Sequence, residues 1–197
     1  MTRTVTTEDF YLEGEERFGP VTSFLYGLGS AVLNRYYEAI VEDLRSTKFR
    51  KLLDVGCGNG ALLSKIALNF PDARLKGVDP SPYMLTRAKK NLARKGFANR
   101  VEVKNGSSRI IPFEEKFDAI ISSFSYHHWI ERDISLSSLA SHLEDKGFLA
   151  IYEYDNSSRK IRSSHGINEG EWNDLEIEGL KKTINHKAGL IILTLSK

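Results

Sequence analysis

Apolar positions along this chain follow two alternating rhythms. Short, nearly continuous apolar or alternating runs at residues 52–55, 74–78, 100–104, 117–122 and 147–152 have the length and composition of strands. Between them, residues 61–69, 83–95 and 134–143 carry apolar side chains at three- and four-residue spacings and predict helices. The first of these helices ends at Phe70, because Pro71 disfavours helical geometry in the residue before it. Regular alternation of strand and helix predicts a parallel sheet with helices on both faces. Upstream, Phe24, Leu25, Leu28, Val32, Tyr36, Ile40 and Leu44 mark one long or two short amphipathic helices, with Gly27 and Gly29 favouring a break. Downstream, residues 155–174 are polar with little periodicity and read as a loop with a short helix. Two strand-like runs, 175–185 and 190–196, meet around His186 to Gly189 and predict an antiparallel hairpin at the sheet edge. The expected architecture is α/β, a doubly wound, mostly parallel seven-stranded sheet with a C-terminal antiparallel hairpin. One domain is expected over residues 1–197, with 1–48 as an N-terminal helical cap and 49–197 as the core.

Composition narrows the function classes. The 197 residues, 41% hydrophobic and 27% charged, suit one domain with a substantial core. A net charge of +2 is too mild to imply nucleic acid, although Arg87, Lys89, Lys90, Arg94 and Lys95 cluster on one expected helix, which is read first as a solvated face. The single cysteine, Cys57, excludes an internal disulfide and fits a reducing compartment. The first ten residues lack an apolar stretch, and the run near Leu190 is too short to span a bilayer, so a soluble cytoplasmic protein is expected.

The stretch that organises the chain is KLLDVGCGNGALL, residues 51–63. A buried strand runs there into Gly56, Gly58 and Gly60, and glycines on alternate positions permit a tight turn and let a ligand approach the main chain. The helix opening after Asn59 points free N–H groups at that ligand. Such a turn also fits the loose G-x-G-x-x-G/A pattern of dinucleotide binders. Asp54 favours another ligand, since its carboxylate would repel a pyrophosphate and attract a cation. Asp79, 19 residues after Gly60 at the end of the second strand, is placed to accept hydrogen bonds from ribose hydroxyls of either kind of cofactor.

The Asp54-Val55-Gly56-Cys57-Gly58-Asn59-Gly60 segment, with Asp79 and the order of strands and helices, resembles the class I S-adenosylmethionine-dependent methyltransferases over about residues 50–154. The resemblance implies a Rossmann-like fold and S-adenosyl-L-methionine as cofactor. It implies that Asp54, Gly56, Cys57, Gly58 and Gly60 surround the methionine end and that Asp79 serves the ribose, with Pro80 and Ser81 beside it in the expected cofactor set. Met84 or Tyr83 would pack on adenine. Ser107 stands where relatives carry an acidic residue that contacts the adenine amino group, and Ser108 and Ser123 complete the expected cofactor set. Glu144 to Gly147 departs from the family's proline-glycine-glycine turn.

Methyl transfer is an in-line displacement whose chief requirement is alignment, with a base only where the nucleophile carries a proton of high pKa. The segment SSFSYHHW, residues 122–129, follows the fourth strand and offers His127 and His128 as candidate bases, with Tyr126 and Trp129 as substrate-binding side chains. Tyr11 is a further substrate-binding candidate, and Phe18 and Tyr26 could line the same pocket. Adjacent histidines lack the spacing of a metal pair, so no metal is expected. The asparagine-proline-proline-aromatic signature of amino-group methyltransferases acting on bases and glutamine is missing after the fourth strand, which argues against those substrates and leaves small-molecule oxygen, nitrogen, carbon or arsenic-type acceptors open. Two alternatives stay open, a nicotinamide-dependent oxidoreductase and a non-catalytic S-adenosylmethionine-binding partner subunit.

Overall fold

The computed structural model describes residues 10, 30–156, 166–167 and 169–197. Helix α1 (Ser30–Leu44) is followed by β1 (Lys51–Val55), α2 (Ala61–Asn69), β2 (Arg74–Asp79), α3 (Pro82–Arg94), β3 (Val101–Asn105) and β4 (Phe117–Ser123). A single 3-10 turn (Tyr126–His128) then leads to α4 (Arg132–Ser141), β5 (Leu143–Asp155), the two-residue β6 (Gly166–Ile167), α5 (Gly170–Asn173), β7 (Lys181–Lys187) and β8 (Leu190–Ser196). The strands form one sheet in the order β3-β2-β1-β4-β5-β8-β7, with β6 paired to β5 as an eighth member. Strands β1 to β5 are parallel, and β8 runs antiparallel to both β5 and β7. Chain order reverses between β1 and β4, and in open α/β sheets ligands bind outside the strand ends at that point.

Successive strand residues face opposite sides, and the sheet therefore separates two cores. On one face Leu52, Leu75, Ile121 and Tyr152 pack with Ile40, Leu44, Leu63, Ile66 and Leu92 from α1, α2 and α3. On the other, Leu53, Val55, Ile120, Ile151 and Leu193 pack with Leu136 and Leu139 of α4 and with Trp172 of α5. Helix α1 is tied to the sheet by Tyr152, whose hydroxyl donates to Asp43 Oδ2 at 3.0 Å. The edge strand β7 carries Lys181, Lys182 and Lys187, charges that discourage further strand addition. No helix among the described residues is long and apolar enough to cross a membrane.

Several boundaries differ from expectation. The fifth strand starts at Leu143 rather than Gly147, because a register shift opposite Phe117 and Ala119, with Lys146 at φ 68°, carries the ladder through the turn. Helix α4 accordingly ends at Ser141, before His142 and Leu143. The seventh strand begins at Lys181 instead of residue 175, since Gly179 at φ 75° and the Leu180 N–H to Ile177 carbonyl bond close a turn there. Ala188 and Gly189, both at positive φ, make the two-residue hairpin loop. The upstream half of the expected 21–44 helix, with Tyr11, Phe18 and Tyr26, lies outside the described residues.

Candidate active site

The carboxyl ends of β1, β2, β3 and β4 surround a cleft of roughly 1160 Å³, counting its solvent-open mouth. Its floor is the turn after β1. Gly56 and Cys57 both donate their N–H groups to the Val78 carbonyl, at 2.9 and 3.0 Å, which bends the chain back over β2. Gly56 adopts φ 76°, and a Cβ there would lie 2.8 Å from Ser125 Cβ. The turn after β1 and the turn after β4 are thus held in contact by the absence of a side chain. Gly56→Ala is expected to cost about 2–4 kcal/mol, the sum of a left-handed backbone and overpacking, measurable by thermal or urea unfolding. Gly58, at φ 52°, has open space where a Cβ would stand and borders the cleft.

Asp79 is buried and holds this turn to the next. Its Oδ2 accepts the Gly58 N–H at 2.8 Å and its Oδ1 accepts the Ser81 N–H at 2.9 Å. Burial raises its pKa to about 6, against the lowering by those two N–H donors. Asn105 braces the same turn, donating to the Asp79 and Pro80 carbonyls at 2.9 Å each. Ser81 caps α3, its Oγ accepting the Met84 N–H at 3.3 Å. The cap turns Met84 into the cleft wall, while Tyr83 is exposed. Of the two adenine candidates, Met84 is therefore the one at the cleft.

Asp54 has a different environment. It is 1% exposed at the end of β1, both carboxylate oxygens lack a hydrogen-bond partner among the described residues, and it borders the cleft. Burial, reinforced by the neighbouring Asp79, pushes its pKa up to about 8. An orphaned buried carboxyl is costly unless something compensates it, and a cation in the cleft would do so. Burial first, then Asp79 and Asp54, raises the Cys57 thiol well above its ordinary range, so Cys57 remains a thiol and serves as a small wall residue. Asp54 and Asp79 are the only carboxylates on the described walls, and no lysine or arginine is among them. This donor set suits a cationic ligand and leaves a pyrophosphate uncompensated.

The turn after β3 brings Ser107 and Ser108 to the wall. Ser107 Oγ accepts the Arg109 N–H at 3.3 Å, and Ser108 Oγ shares a 2.8 Å bond with Ser135 Oγ on α4. Ser123 ends β4, and Phe124, Ser125, His128 and Trp129 follow it along the cleft. Trp129 Nε1 donates to Ser125 Oγ at 3.2 Å, and the His128 N–H donates to the Ser125 carbonyl at 3.0 Å.

Four sequence candidates are not on the cleft wall. Tyr126 is buried against Trp129 and Trp172, with ring centroids 5.2 and 5.7 Å away, and is a core residue. His127 turns to the buried Glu153, its Nδ1 2.9 Å from Oε2 and its N–H donating to Oε1 at 3.3 Å. The 3-10 turn sends consecutive side chains in different directions, so only one of the two imidazoles, His128, reaches the cleft. Gly60, at φ 72°, lies where a Cβ would meet Ala88 Cβ at 3.2 Å, so it lets α2 approach α3. Ser81 acts through Asp79 and the helix cap. Conversely, Phe10, Leu33, Tyr37, Asn59 and Phe124 line the cleft without having been singled out for it. Leu33 and Tyr37 lie four residues apart on α1, a spacing that already places them on one face.

Residues 52–147 match the family described as "Methyltransferase domain". Among curated relatives, the ubiquinone/menaquinone biosynthesis C-methyltransferase UbiE of Campylobacter jejuni is 28% identical over 119 residues, covering 58% of this chain and 48% of that protein. The chain spans about half the length of several curated relatives and 6% of a polyketide synthase, ThaQ, of Burkholderia thailandensis, to which it is 29% identical over 125 residues, 61% of this chain. Among solved structures, a SAM-dependent methyltransferase from Aquifex aeolicus superposes with a TM-score of 0.76 at 19% identity, covering 91% of this chain and 99% of that one. The plantazolicin methyltransferase BpumL, in complex with SAH, superposes with a TM-score of 0.71 at 15% identity over 90% of each chain.

Proposed function

We propose that this chain, whose residues 52–147 match a methyltransferase-domain family, transfers a methyl group from S-adenosylmethionine to a small-molecule acceptor bound in the cleft described above. The observation that carries this reading is Asp54, a buried carboxyl with two unpartnered oxygens beside an open glycine turn. S-adenosylmethionine carries the ammonium and sulfonium charges that such a group attracts. When bound, it supplies an electrophilic methyl group on sulfur.

The chain's own residues divide the remaining work. Asp54 and the Gly56–Gly58 turn hold the methionine end, Asp79 the ribose, and Met84, Pro80, Ser107 and Ser108 the adenine. His128 is the imidazole that lines the cleft among the described residues and is the candidate to accept an acceptor's proton. Trp129 and Phe124 exclude water beside it. His127 serves this site by holding the 126–129 turn to Glu153 rather than by touching a ligand.

Small acceptors are supported by the walls. No described wall residue is cationic, and the exposed Lys89, Lys90, Arg94 and Lys95 are not among the cleft residues, so the described residues offer no phosphate-binding track into the site. Relatives named for quinone biosynthesis and for plantazolicin point the same way. Calorimetry is expected to show S-adenosylmethionine binding in the micromolar range, about −8 kcal/mol, with no heat from a nicotinamide dinucleotide. The reverse result would replace this reading with an oxidoreductase. Labelled methyl transfer by the purified chain to a metabolite extract separates an enzyme from a cofactor-binding partner subunit.

A further inference from the structure

The cleft lining includes a group of residues that the cofactor assignment leaves unused, Leu33 and Tyr37 of α1 and Phe124, Ser125, His128 and Trp129 after β4, taken together as its second end. We propose that this end binds a planar, uncharged aromatic ring, and that Phe124 is the residue that selects it. The inference rests on the methyltransferase reading only for calling that ring the acceptor.

Phe124 is held in an unusual way. It is one of three non-glycine residues at positive φ among the described residues, at 54°, and the only one of them on the cleft. A left-handed phenylalanine persists only where its surroundings enforce it, and such positions concentrate at ligand sites. Here the enforcement is visible. The Phe124 N–H donates to the Tyr152 carbonyl at 2.9 Å, and its ring stacks on Tyr154 with centroids 4.3 Å apart at 24°. Tyr36 meets it edge-on at 5.8 Å and 72°. One face is thereby backed by protein and the ring is fixed; Phe124 is 8% exposed and is among the residues that line the cleft.

Tyr37 extends the same wall, its ring 6.3 Å from that of Phe124 and inclined at 43°. Aromatic rings in contact have centroids about 4.5–7 Å apart, so no ligand ring fits between these two. They form one aromatic corner against which a flat molecule lies. This end has no lysine, arginine, aspartate or glutamate among its described residues. A cationic ligand would lose hydration there without a partner and an anionic one would meet only the His128 imidazole and the Ser125 hydroxyl, whereas a neutral ring loses little. A saturated ring of equal volume would bury similar area but forfeit the stacking contact.

The test uses three probes of similar size: 2-naphthol, its saturated counterpart decahydro-2-naphthol, and naphthalene-2-sulfonate. Each is titrated calorimetrically into the wild-type chain with and without saturating S-adenosylhomocysteine. The expected result is at least tenfold tighter binding of 2-naphthol than of either comparator. In Phe124→Leu, 2-naphthol is expected to weaken at least fivefold while the saturated probe changes less than twofold. Tyr37→Leu, on a helix without backbone strain, is expected to act in the same direction and keeps the test valid should the first variant fail to fold. Equal or tighter binding of the saturated or anionic probe, or no binding of 2-naphthol, overturns the proposal. Failure of S-adenosylhomocysteine to bind would instead overturn the cofactor assignment, and the probe titrations without it still decide the ring preference.

Discussion

Asp79→Ala is expected to weaken S-adenosylmethionine binding at least about 100-fold, or roughly 2.7 kcal/mol, while changing thermal stability little. Two opposing terms in the folded chain explain the asymmetry. Alanine leaves the Gly58 and Ser81 N–H groups without their acceptor, a loss of about 1–3 kcal/mol each. It also removes a buried carboxyl whose pKa is raised from 3.8 to about 6, an unfavourable burial of about 3 kcal/mol at neutral pH. The two effects oppose each other in the ligand-free protein, and the pKa of about 6 already nets the two N–H bonds against burial. No such opposition applies to the ligand, because the carboxylate that would accept the ribose hydroxyls is gone and the turn holding Gly58 loosens with it. Calorimetric titration alongside a melting curve separates the two effects. A variant that melts far below wild type would make Asp79 a folding residue first, and unchanged affinity would remove it from the cofactor site.

The second large effect concerns Asp54. Its folded-state pKa of about 8 lies above its ordinary 3.8, so the native state holds a proton that the unfolded chain releases near pH 4. Stability from this group is therefore full below about pH 4 and lost as pH rises toward 8. Asp54→Asn, which fixes the neutral form, is expected to stabilise the ligand-free protein at pH 8 by about 2 kcal/mol and raise Tm by roughly 4–8 °C. The same change is expected to cost cofactor affinity about 30-fold or more, near 2 kcal/mol, because the uncompensated carboxylate is the partner for a cation. A cation also pulls the pKa down, so wild-type binding near pH 7 is expected to release up to one proton. Affinity then rises with pH up to about 8. Titrations in buffers of different ionisation enthalpy measure that release directly, and Asp54→Asn should abolish it. Equal proton release from the two proteins would mean that another group responds to the ligand.

Legibility from sequence varied with how local the determining physics was. The glycine turn, the strand preceding it and Asp79 were readable because their signal lies within a few residues: a buried apolar run, positive-φ positions and an acid at a strand end. The α/β alternation was readable for the same reason. What sequence could not resolve was which of two adjacent histidines lines the cleft, since that depends on Glu153 on β5, 26 residues away, drawing His127 aside. Tyr126 looked like a ligand residue by composition, but Trp172 on α5, far along the chain, claims its ring for the core. Phe124 escaped notice because a left-handed phenylalanine has no local signature. It exists only because Tyr152 and Tyr154 of the neighbouring strand hold it.

The prop beneath the acceptor end has an evolutionary consequence. Trp172, 0% exposed, backs Tyr126, and Arg132 joins Glu171 at 3.3 Å while lying over the Tyr126 ring. The turn carrying His128 and Trp129 is thus underpinned by a segment between β6 and β7, whereas the glycine turn and Asp79 are anchored on β1 and β2. Substitutions in that late segment can re-aim the acceptor wall without disturbing the cofactor's half. Under the proposed function, acceptor preference is therefore open to change from positions that touch neither ligand, through the packing of Trp172 on Tyr126.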